Sequence, residues 1–361
     1  MASTLNALDR VLVASHDISV VICAHSSDRW NDLVAAIASV RRQNVPPHEI
    51  VVVVDHNQDL LTQVRTDAPD IVAVENRGPQ GLSGARNTGI ATATGAIVAF
   101  LDDDALAMPD WLEHIGAGYE DARVLGVGGA IEPSWRGGRP TWFPQEFDWV
   151  VGCTFKGMPE TTTSVQRLIG CNMSFRRDVF DGIGTFRHEI GRVGARPTAG
   201  EETELCIRAR QRWRGKVFLY EPRARVSHQV PSARACWRYY RARCYGEGLS
   251  KALIARFVGA QDGLATDRAY TLRTLPRGVA RGLADAVLHG DSAGLARAGA
   301  IVAGLTITMA GYATETASFT LRKRRPDAER RAGERDAWPA RVPPRVEAVQ
   351  AGPIDRVSEA L

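Results

Sequence analysis

Paired cysteines at metal-binding spacing are missing from this chain. Its cysteines are Cys23, Cys153, Cys171, Cys206, Cys236 and Cys244. They form no CxxC pair and have no histidine nearby at finger spacing, which excludes a zinc ribbon and gives no sign of a disulfide framework. A reducing cytosol is therefore the expected compartment. Acidic and polar residues interrupt the apolar run near the N-terminus, so we expect no signal peptide.

Long apolar runs are also scarce. No stretch reaches the roughly 18 uninterrupted apolar residues expected of a membrane span. The nearest, Ala298 to Ala313, is short and rich in glycine, alanine and threonine. It is either a buried helix or a helix lying on a membrane surface. Recognition-helix, zinc and RNP patterns are missing too, so no nucleic-acid partner is expected.

The composition is that of a folded globular protein. Of 361 residues, 44% are hydrophobic and 24% are charged, which is enough for a large α/β domain with an appendage or for two domains. The net charge of +4 is unevenly distributed, because arginine is dense from Arg208 onward and acids are more frequent before it. This distribution indicates that the basic half could face an anionic partner.

Short apolar runs alternate with helical patterns in the first hundred residues. The segment ISVVICAH predicts a buried parallel strand, and EIVVVVDH, DIVAVENRG and AIVAFLDDD predict further strands. Residues 30–43 predict a helix with Leu33, Ile37 and Val40 on one face. Such alternation predicts an α/β fold with a doubly wound, mostly parallel sheet. Ligands bind such sheets at the carboxyl ends of the strands, where polar residues follow each run.

Three consecutive aspartates, Asp102, Asp103 and Asp104, follow the last of these strands. Like charges at the end of a buried strand repel each other unless a cation neutralises them. The hard cations Mg²⁺ and Mn²⁺ bind carboxylate oxygens together with substrate phosphates. The cluster therefore predicts a divalent-metal site beside a nucleotide pocket. Its structural alternative is a solvated acidic loop in which Asp104 caps the next helix.

Several motifs occur in the order seen in one enzyme family. The run GLSGARNTGIATATGAIVAFLDDD, with the two strands upstream, resembles the nucleotide-sugar half of the family 2 glycosyltransferases of GT-A fold. The later segments GCNMSFRRDVF, GEETELCIRAR and YEPRARVSH resemble the acceptor half of that family. The resemblance spans residues 18–228. It implies a non-processive, inverting glycosyltransferase with a Rossmann-like nucleotide half and an acceptor half.

The resemblance also sets the expected domain boundaries. We expect an N-terminal extension over residues 1–17 and a GT-A glycosyltransferase domain over 18–235. A helical C-terminal region is expected over residues 236–321. Residues 322–361 are polar and rich in arginine and proline, and we expect them to form a disordered tail.

Donor-binding roles follow from matching positions. Asp55 matches the acid that binds the uracil ring in the resembling enzymes, and Ala24 and His25 would form a wall of the base pocket. Arg86 and Asn87 open a helix, where a guanidinium and free amides can meet phosphate or ribose oxygens. A surface salt bridge is the structural alternative for Arg86.

The acidic cluster takes both donor and metal roles in the resemblance. Asp102 would lie nearest the ribose or nucleotide, and Asp103 is placed on the donor side as well. Asp104 and His228 would bind the divalent metal, Mn²⁺ or Mg²⁺. A histidine that follows a strand can equally be a structural residue.

A general base is needed because an acceptor hydroxyl is a poor nucleophile at neutral pH. The resembling enzymes carry an acidic pair, usually Glu-Asp, at the start of a helix, and its second member deprotonates the acceptor. Glu202 matches that base, although it is one methylene longer, and Glu201 is the fallback. The structural alternative is that both acids complement the helix dipole.

The remaining segments leave the acceptor open. Residues 134–164 predict a long functional loop whose aromatic side chains receive no role: Trp135, Trp142, Phe143 and Trp149. The helical stretches 236–259 and 275–287 interleave arginine with aromatic and aliphatic residues. They suit an anionic membrane surface, or they pack on the catalytic domain. The acceptor is accordingly a glycan, a small molecule or a lipid-linked compound, and the expected location is the cytoplasm, with the inner face of the cell membrane as the alternative.

Two other functions compete with this interpretation. A nucleotidyltransferase acting on sugar phosphates also combines an α/β sheet with acidic metal ligands, but it needs a glycine-rich, lysine-bearing loop after the first strand. The sequence CAHSSDRWND does not supply one. A non-catalytic sugar-nucleotide-binding protein would not need both the Asp cluster and the Glu pair.

Overall fold

The computed structural model describes residues 17–191, 199–259 and 267–323. The predicted N-terminal extension, apart from residue 17, and the predicted tail beyond residue 323 lie outside this part of the chain. The last helix is described as far as Lys323.

The nucleotide half contains the predicted alternation of strands and helices. Its elements are β1 (Ile18–Ala24), α1 (Trp30–Arg41), β2 (Glu49–Val54), α2 (Gln58–Asp67), β3 (Val72–Glu75), α3 (Leu82–Thr92) and β4 (Ile97–Asp102). The strands lie in the order β3-β2-β1-β4, and every neighbouring pair is parallel. This arrangement confirms the predicted α/β sheet.

The valines of β2 show why these strands are apolar throughout. Val51 and Val53 pack into one hydrophobic cluster, and Val52 and Val54 pack into another. Successive side chains of a strand point to opposite faces, so helices cover both faces of the sheet. Burying each such side chain contributes about 1.5–3 kcal/mol.

The acceptor half continues the same sheet in a mixed arrangement. Its elements are β5 (Ala105–Ala107), α4 (Trp111–Ala117), β6 (Val124–Trp135), β7 (Thr163–Val165), β8 (Asn172–Arg176), α5 (Arg177–Ile183), α6 (Glu201–Arg212) and β9 (Val217–Val230). The order continues β4-β8-β6-β9-β5, with β7 on β9. β8 lies antiparallel between β4 and β6, whereas β6 and β9 are parallel.

The segment 134–164 is more ordered than the predicted loop. β6 extends to Trp135, where it pairs with Val230, and a 3₁₀ helix covers Gln145–Val151 before β7 begins. Other 3₁₀ turns cover Ser27–Arg29, Gly118–Glu120 and Ser232–Arg234.

Helices follow β9, as predicted for the C-terminal region. They are α7 (Trp237–Val258), a short turn at Asp267–Ala269, a π-helical turn at Tyr270–Thr274, α8 (Leu275–His289) and α9 (Ser292–Lys323). Among the described residues, one helical segment, Ser292–Thr320, is long and apolar enough to cross a membrane. It contains residues 298–313, for which the sequence left open a buried helix or a helix on a membrane surface.

Candidate active site

A cleft of about 920 Å³ lies at the carboxyl ends of β1, β2 and β4. Ala24 pairs with Val54 and Cys23 pairs with Asp102, so these strand ends lie side by side. Ten of the predicted site residues line the cleft: Ala24, His25, Asp55, Arg86, Asp102, Asp103, Asp104, Glu201, Glu202 and His228. The fold therefore brings residues from both halves of the sequence into one cavity.

Asn87 is the predicted residue that the structure does not bring to the cleft lining. Its amide nitrogen donates to the carbonyl of Phe186 at 2.9 Å, and its Oδ1 accepts from the Phe186 N–H at 2.9 Å. Both ends of the amide therefore bind one backbone unit. Asn87 holds the chain after α5 against α3, so the structure does not bring it together with the other predicted residues, and its donor contact stays a prediction.

Asp55 stabilises the wall of the predicted base pocket. Its Oδ1 accepts from the Asn76 amide at 2.6 Å, and its Oδ2 accepts from the Gly81 N–H at 2.9 Å. His56 Nδ1 lies 2.9 Å from Oδ1. These contacts fix the turn that leads into α3, a structural role that the sequence did not indicate. The carboxyl still lines the cleft beside Ala24.

Arg86 is buried, with 2% of its surface exposed. Its guanidinium lies 2.6 Å from Glu201 Oε1, donates to the Gly170 carbonyl at 3.0 Å, and lies 3.5 Å from Asp102 Oδ1. The residue is thus an ion-pairing residue, but inside the protein and not on its surface. It connects the acidic cluster of β4 to the start of α6.

Each acid of the cluster has a different set of cationic neighbours. Arg29 lies 2.7 Å from Asp103 and 3.3 Å from Asp104, and Asp104 also lies 3.0 Å from His228 Nε2 and 3.6 Å from Arg234. Burial raises the pKa of Asp103 to about 7 despite the adjacent Arg29. Burial also opposes ionisation of Asp104, yet the hydrogen bond from His228 and the nearby Arg29 hold its pKa below the usual value.

His228 lies at the centre of the donor atoms that suit a metal. It pairs with Ala105 across β5 and β9, which places its ring beside Asp104. Asp102, Cys171 and His228 offer ligand atoms that all lie within 4.8 Å of one another. The buried Oδ2 of Asp103 has no hydrogen-bond partner. The carboxylate of Asp102 and the imidazole of His228 are ligand types that a divalent cation such as Mn²⁺ accepts, whereas a thiol suits softer metals.

The acidic pair lies at the first turn of α6. Gly200 precedes it with φ of 101°, a left-handed conformation that favours glycine. Glu201 is held by Arg86, whereas the half-buried Glu202 has a pKa raised to about 8. Burial is the main cause, the Glu201 charge adds to it, and Arg86 opposes it. A carboxylate with a pKa near the working pH is suited to accepting a proton.

Comparison with known proteins decides the family. Residues 19–184 match the family model described as glycosyl transferase family 2. The chain is also 36% identical over 244 residues to the glucosyl-dolichyl phosphate glucuronosyltransferase of Haloferax volcanii, covering 66% of this chain and 77% of that protein. The chain belongs to glycosyl transferase family 2. It is a glycosyltransferase, as the resemblance implied.

Two further similarities agree with this assignment. The glycosyltransferase is 26% identical over 241 residues to the succinoglycan biosynthesis protein ExoM of Rhizobium meliloti, covering 64% of this chain and 72% of that protein. Its fold matches the mannosyltransferase PcManGT from Pyrobaculum calidifontis, solved in complex with GDP-Man and Mn²⁺, with a TM-score of 0.51 and 16% identity. That match covers 81% of this chain and 87% of the other, and it confirms the GT-A fold.

The cleft of the glycosyltransferase contains residues that the sequence did not reveal. Arg29, Cys171 and Arg234 line it, as does Trp149, whose indole nitrogen donates to the Tyr270 hydroxyl at 2.9 Å. Arg29 and Arg234 each follow a strand whose end was predicted to carry site residues. That position is the signal that could have identified them. The other loop aromatics, Trp135, Trp142 and Phe143, pack into the core.

Proposed function

We propose that this glycosyltransferase transfers a sugar from a UDP-sugar to an acceptor hydroxyl with inversion, assisted by a divalent metal, Mn²⁺ or Mg²⁺. One observation carries the proposal. The acidic cluster at the end of β4 and Glu202 at the start of α6 line the same cleft. A donor diphosphate and an acceptor hydroxyl can therefore be bound in one cavity, which the reaction requires.

The donor is assigned to the strand ends of the nucleotide half. Asp55, Ala24 and His25 line one part of the cleft, where the resemblance to family members places the uracil ring. Asp102 lines the same cleft, 3.5 Å from Arg86, and is assigned to the ribose as the resemblance implies. Arg29 adds positive charge on the same side, which favours an anionic diphosphate.

The metal is assigned to Asp104 and His228, the two ligands that the resemblance implies, whose Oδ1 and Nε2 atoms lie 3.0 Å apart. Asp102 and Cys171 offer further ligand atoms within 4.8 Å of His228. When bound, a divalent cation would supply Lewis-acid stabilisation of the negative charge on the leaving diphosphate.

Glu202 is assigned as the general base. Its carboxylate removes the proton of the acceptor hydroxyl as the acceptor oxygen forms a bond to the anomeric carbon. The bond between that carbon and the diphosphate oxygen breaks on the opposite face, and its electron pair leaves with the nucleoside diphosphate. Glu201 is engaged with Arg86, and this ion pair favours Glu202 over Glu201 for the task.

The acceptor is proposed to be lipid-linked. The relative from Haloferax volcanii is named for a glucosyl-dolichyl phosphate, and the C-terminal helices of this chain border the cleft. A glycan or a small soluble molecule would enter the same cavity without needing those helices. A lipid-linked acceptor places the enzyme at the inner face of the cell membrane, within the cytoplasm.

Ligand-dependent stability tests the donor and the metal together. Thermal unfolding is measured with Mn²⁺ and a panel of UDP-, GDP- and dTDP-sugars, for wild type, Asp104→Ala and the control Asp121→Ala. Asp121 is a surface acid paired with Arg123. At a donor concentration about 100 times the Kd, binding should stabilise the protein by about 2.7 kcal/mol. The stabilisation should require Mn²⁺, favour UDP-sugars and be lost only in Asp104→Ala.

Two outcomes would contradict the proposal. If none of the nucleotide sugars stabilises the protein in the presence of Mn²⁺, the donor assignment is wrong. Equal stabilisation of Asp104→Ala and Asp121→Ala would show that Asp104 does not hold the metal.

A further inference from the structure

Exposed apolar side chains are concentrated on α8 and α9. We call this surface the hairpin face, and it consists of Leu283, Val287, Leu288, Leu295, Val302 and Met309. Val287 is 81% exposed and Leu288 is 74% exposed. Large apolar side chains gathered on one exposed surface mark a site of contact with a protein or a membrane.

The spacing along α9 shows that these residues form a stripe. Leu295, Val302 and Met309 recur every seven residues, so they lie on one side of the helix. The opposite side packs on α7: a Cβ on Gly311 would lie 2.2 Å from the Tyr245 carbonyl, and one on Gly248 would lie 2.1 Å from the Thr308 carbonyl. One side of α9 is therefore bound to the enzyme, and the other is apolar and exposed.

These close contacts determine how α9 can meet a bilayer. They occur near its start, where a Cβ on Gly294 would lie 2.4 Å from the Gly282 carbonyl, and near its middle, where one on Gly304 would lie 2.4 Å from Phe147. A helix that crosses a bilayer is surrounded by lipid along its apolar segment. α9 would therefore have to separate from the rest of the protein there, and these contacts would be lost. A helix lying in the interface keeps them and still buries the hairpin face.

Exposed positive charge near the hairpin face suits an anionic bilayer. Three arginines are exposed in this region. Arg268 lies just before the π-helical turn, Arg273 lies within that turn, and Arg277 lies on α8. Helical spacing places Arg277 on the same side of α8 as Leu288, eleven residues later. Arginine stems can lie along the apolar boundary while their guanidinium groups contact lipid phosphates.

The cleft and the hairpin face share a residue of α9. Met309 belongs to the hairpin face and also lines the cleft that contains Glu202, as do Leu305, Tyr312 and Ala313. A cavity whose rim is shared with a membrane-facing helix can be filled from the bilayer.

We propose that α8 and α9 form a membrane-docking hairpin, which lies in the plane of an anionic bilayer without crossing it and turns the acceptor side of the cleft toward the lipid. An amphiphilic acceptor then reaches Glu202 while its lipid part stays in the membrane. This proposal rests on the transfer reaction proposed for the cleft.

Vesicle binding by the full chain tests the proposal. Co-sedimentation is measured with phosphatidylcholine vesicles and with vesicles of equal parts phosphatidylcholine and phosphatidylglycerol. The test variant carries Val287→Gln, Leu288→Gln and Val302→Gln, and the control carries Val34→Gln and Val72→Gln. Val34 and Val72 are exposed apolar residues of the nucleotide half, at 43% and 38%.

We expect wild type and control to bind the anionic vesicles, and the test variant to bind at least about tenfold more weakly, since each apolar side chain adds to membrane affinity. Bound enzyme should be released by alkaline carbonate. Failure of wild type to bind, or equal loss in test and control variants, would overturn the docking surface. Resistance to carbonate would overturn the in-plane orientation.

A separate measurement distinguishes failure of this proposal from failure of the proposed function. Stabilisation by Mn²⁺ and UDP-sugar in solution should be the same in wild type and in the hairpin variant. If vesicle binding fails while this stabilisation remains, only the docking proposal is wrong. If stabilisation is missing while vesicle binding remains, the donor assignment is wrong and the membrane surface stands.

Discussion

Replacing Glu202 by glutamine should make the protein more stable while inactivating it. Burial and the neighbouring Glu201 charge raise the pKa of Glu202 from 4.5 to about 8. At 1.36 kcal/mol per pH unit, the rise corresponds to a cost of roughly 5 kcal/mol for keeping the carboxylate ionised in the folded protein. Because Glu202 is half-buried, solvent screening reduces the expected gain of Glu202→Gln to about 2 kcal/mol.

The pH dependence of this gain has a definite sign. Between pH 4.5 and 8, folded wild type retains a proton that the unfolded chain has lost, so wild-type stability falls as the pH rises. Glutamine has no proton to lose. The advantage of Glu202→Gln should therefore be absent below pH 4, grow between pH 4.5 and 8, and stay constant above pH 8. Urea unfolding followed by tryptophan fluorescence at several pH values measures it.

Glu201→Gln is the matched control, because it makes the same chemical change at the adjacent residue. It removes the charge opposite Arg86, whose guanidinium is buried, and should destabilise the protein by about 3 kcal/mol. The turnover number of Glu202→Gln should fall by about 10²–10⁴ for loss of a general base. A stability difference between Glu202→Gln and wild type that does not change with pH would refute the reasoning. Wild-type turnover in Glu202→Gln would refute the catalytic assignment.

Two further changes test the contacts that support the site. Arg86 lowers the pKa of Glu202, whereas Glu201 and Glu247 raise it. Arg86→Met should therefore raise this pKa and shift the rising limb of the pH profile of kcat/KM to higher pH. A rising limb at the same pH as in wild type would contradict this. Gly311→Ala should destabilise the protein by about 1–3 kcal/mol, because its Cβ meets the α7 backbone. Gly299→Ala, which has no atom within 4 Å of its Cβ, should instead stabilise by up to about 1 kcal/mol. Urea unfolding compares the two, and equal effects would mean that α9 does not pack closely on α7.

Local sequence patterns predicted the strands of the nucleotide half because each strand carries its own signal. β2 is a run of four valines, and both of its faces are buried in this fold. The end of β6 has no such signal. Trp135 is placed by pairing with Val230, 95 residues later, and only the assembled sheet reveals that partner. The segment 134–164 was predicted to be a loop for this reason.

The site was predictable where its residues follow strands. The carboxyl ends of parallel strands share one edge of the sheet, so Asp55 and Asp102 had to lie near each other. Arg86 and Asn87 were harder, since their partners are Glu201 and Phe186, about a hundred residues away. Adjacent residues on one helix thus have different surroundings, and no local pattern distinguishes them.

The three consecutive aspartates show how the fold separates residues that the sequence presents as equivalent. Asp102 lies near Arg86 of α3, Asp103 bonds Arg29 of the turn after β1, and Asp104 bonds His228 of β9. Three adjacent carboxylates can coexist at a strand end because other elements supply cationic or imidazole neighbours to each, with Arg29 shared by Asp103 and Asp104. Since Asp104 is ionised beside an imidazole while burial favours the protonated form of Asp103, the residues differ in their capacity to bind a cation, and only their tertiary contacts create that difference.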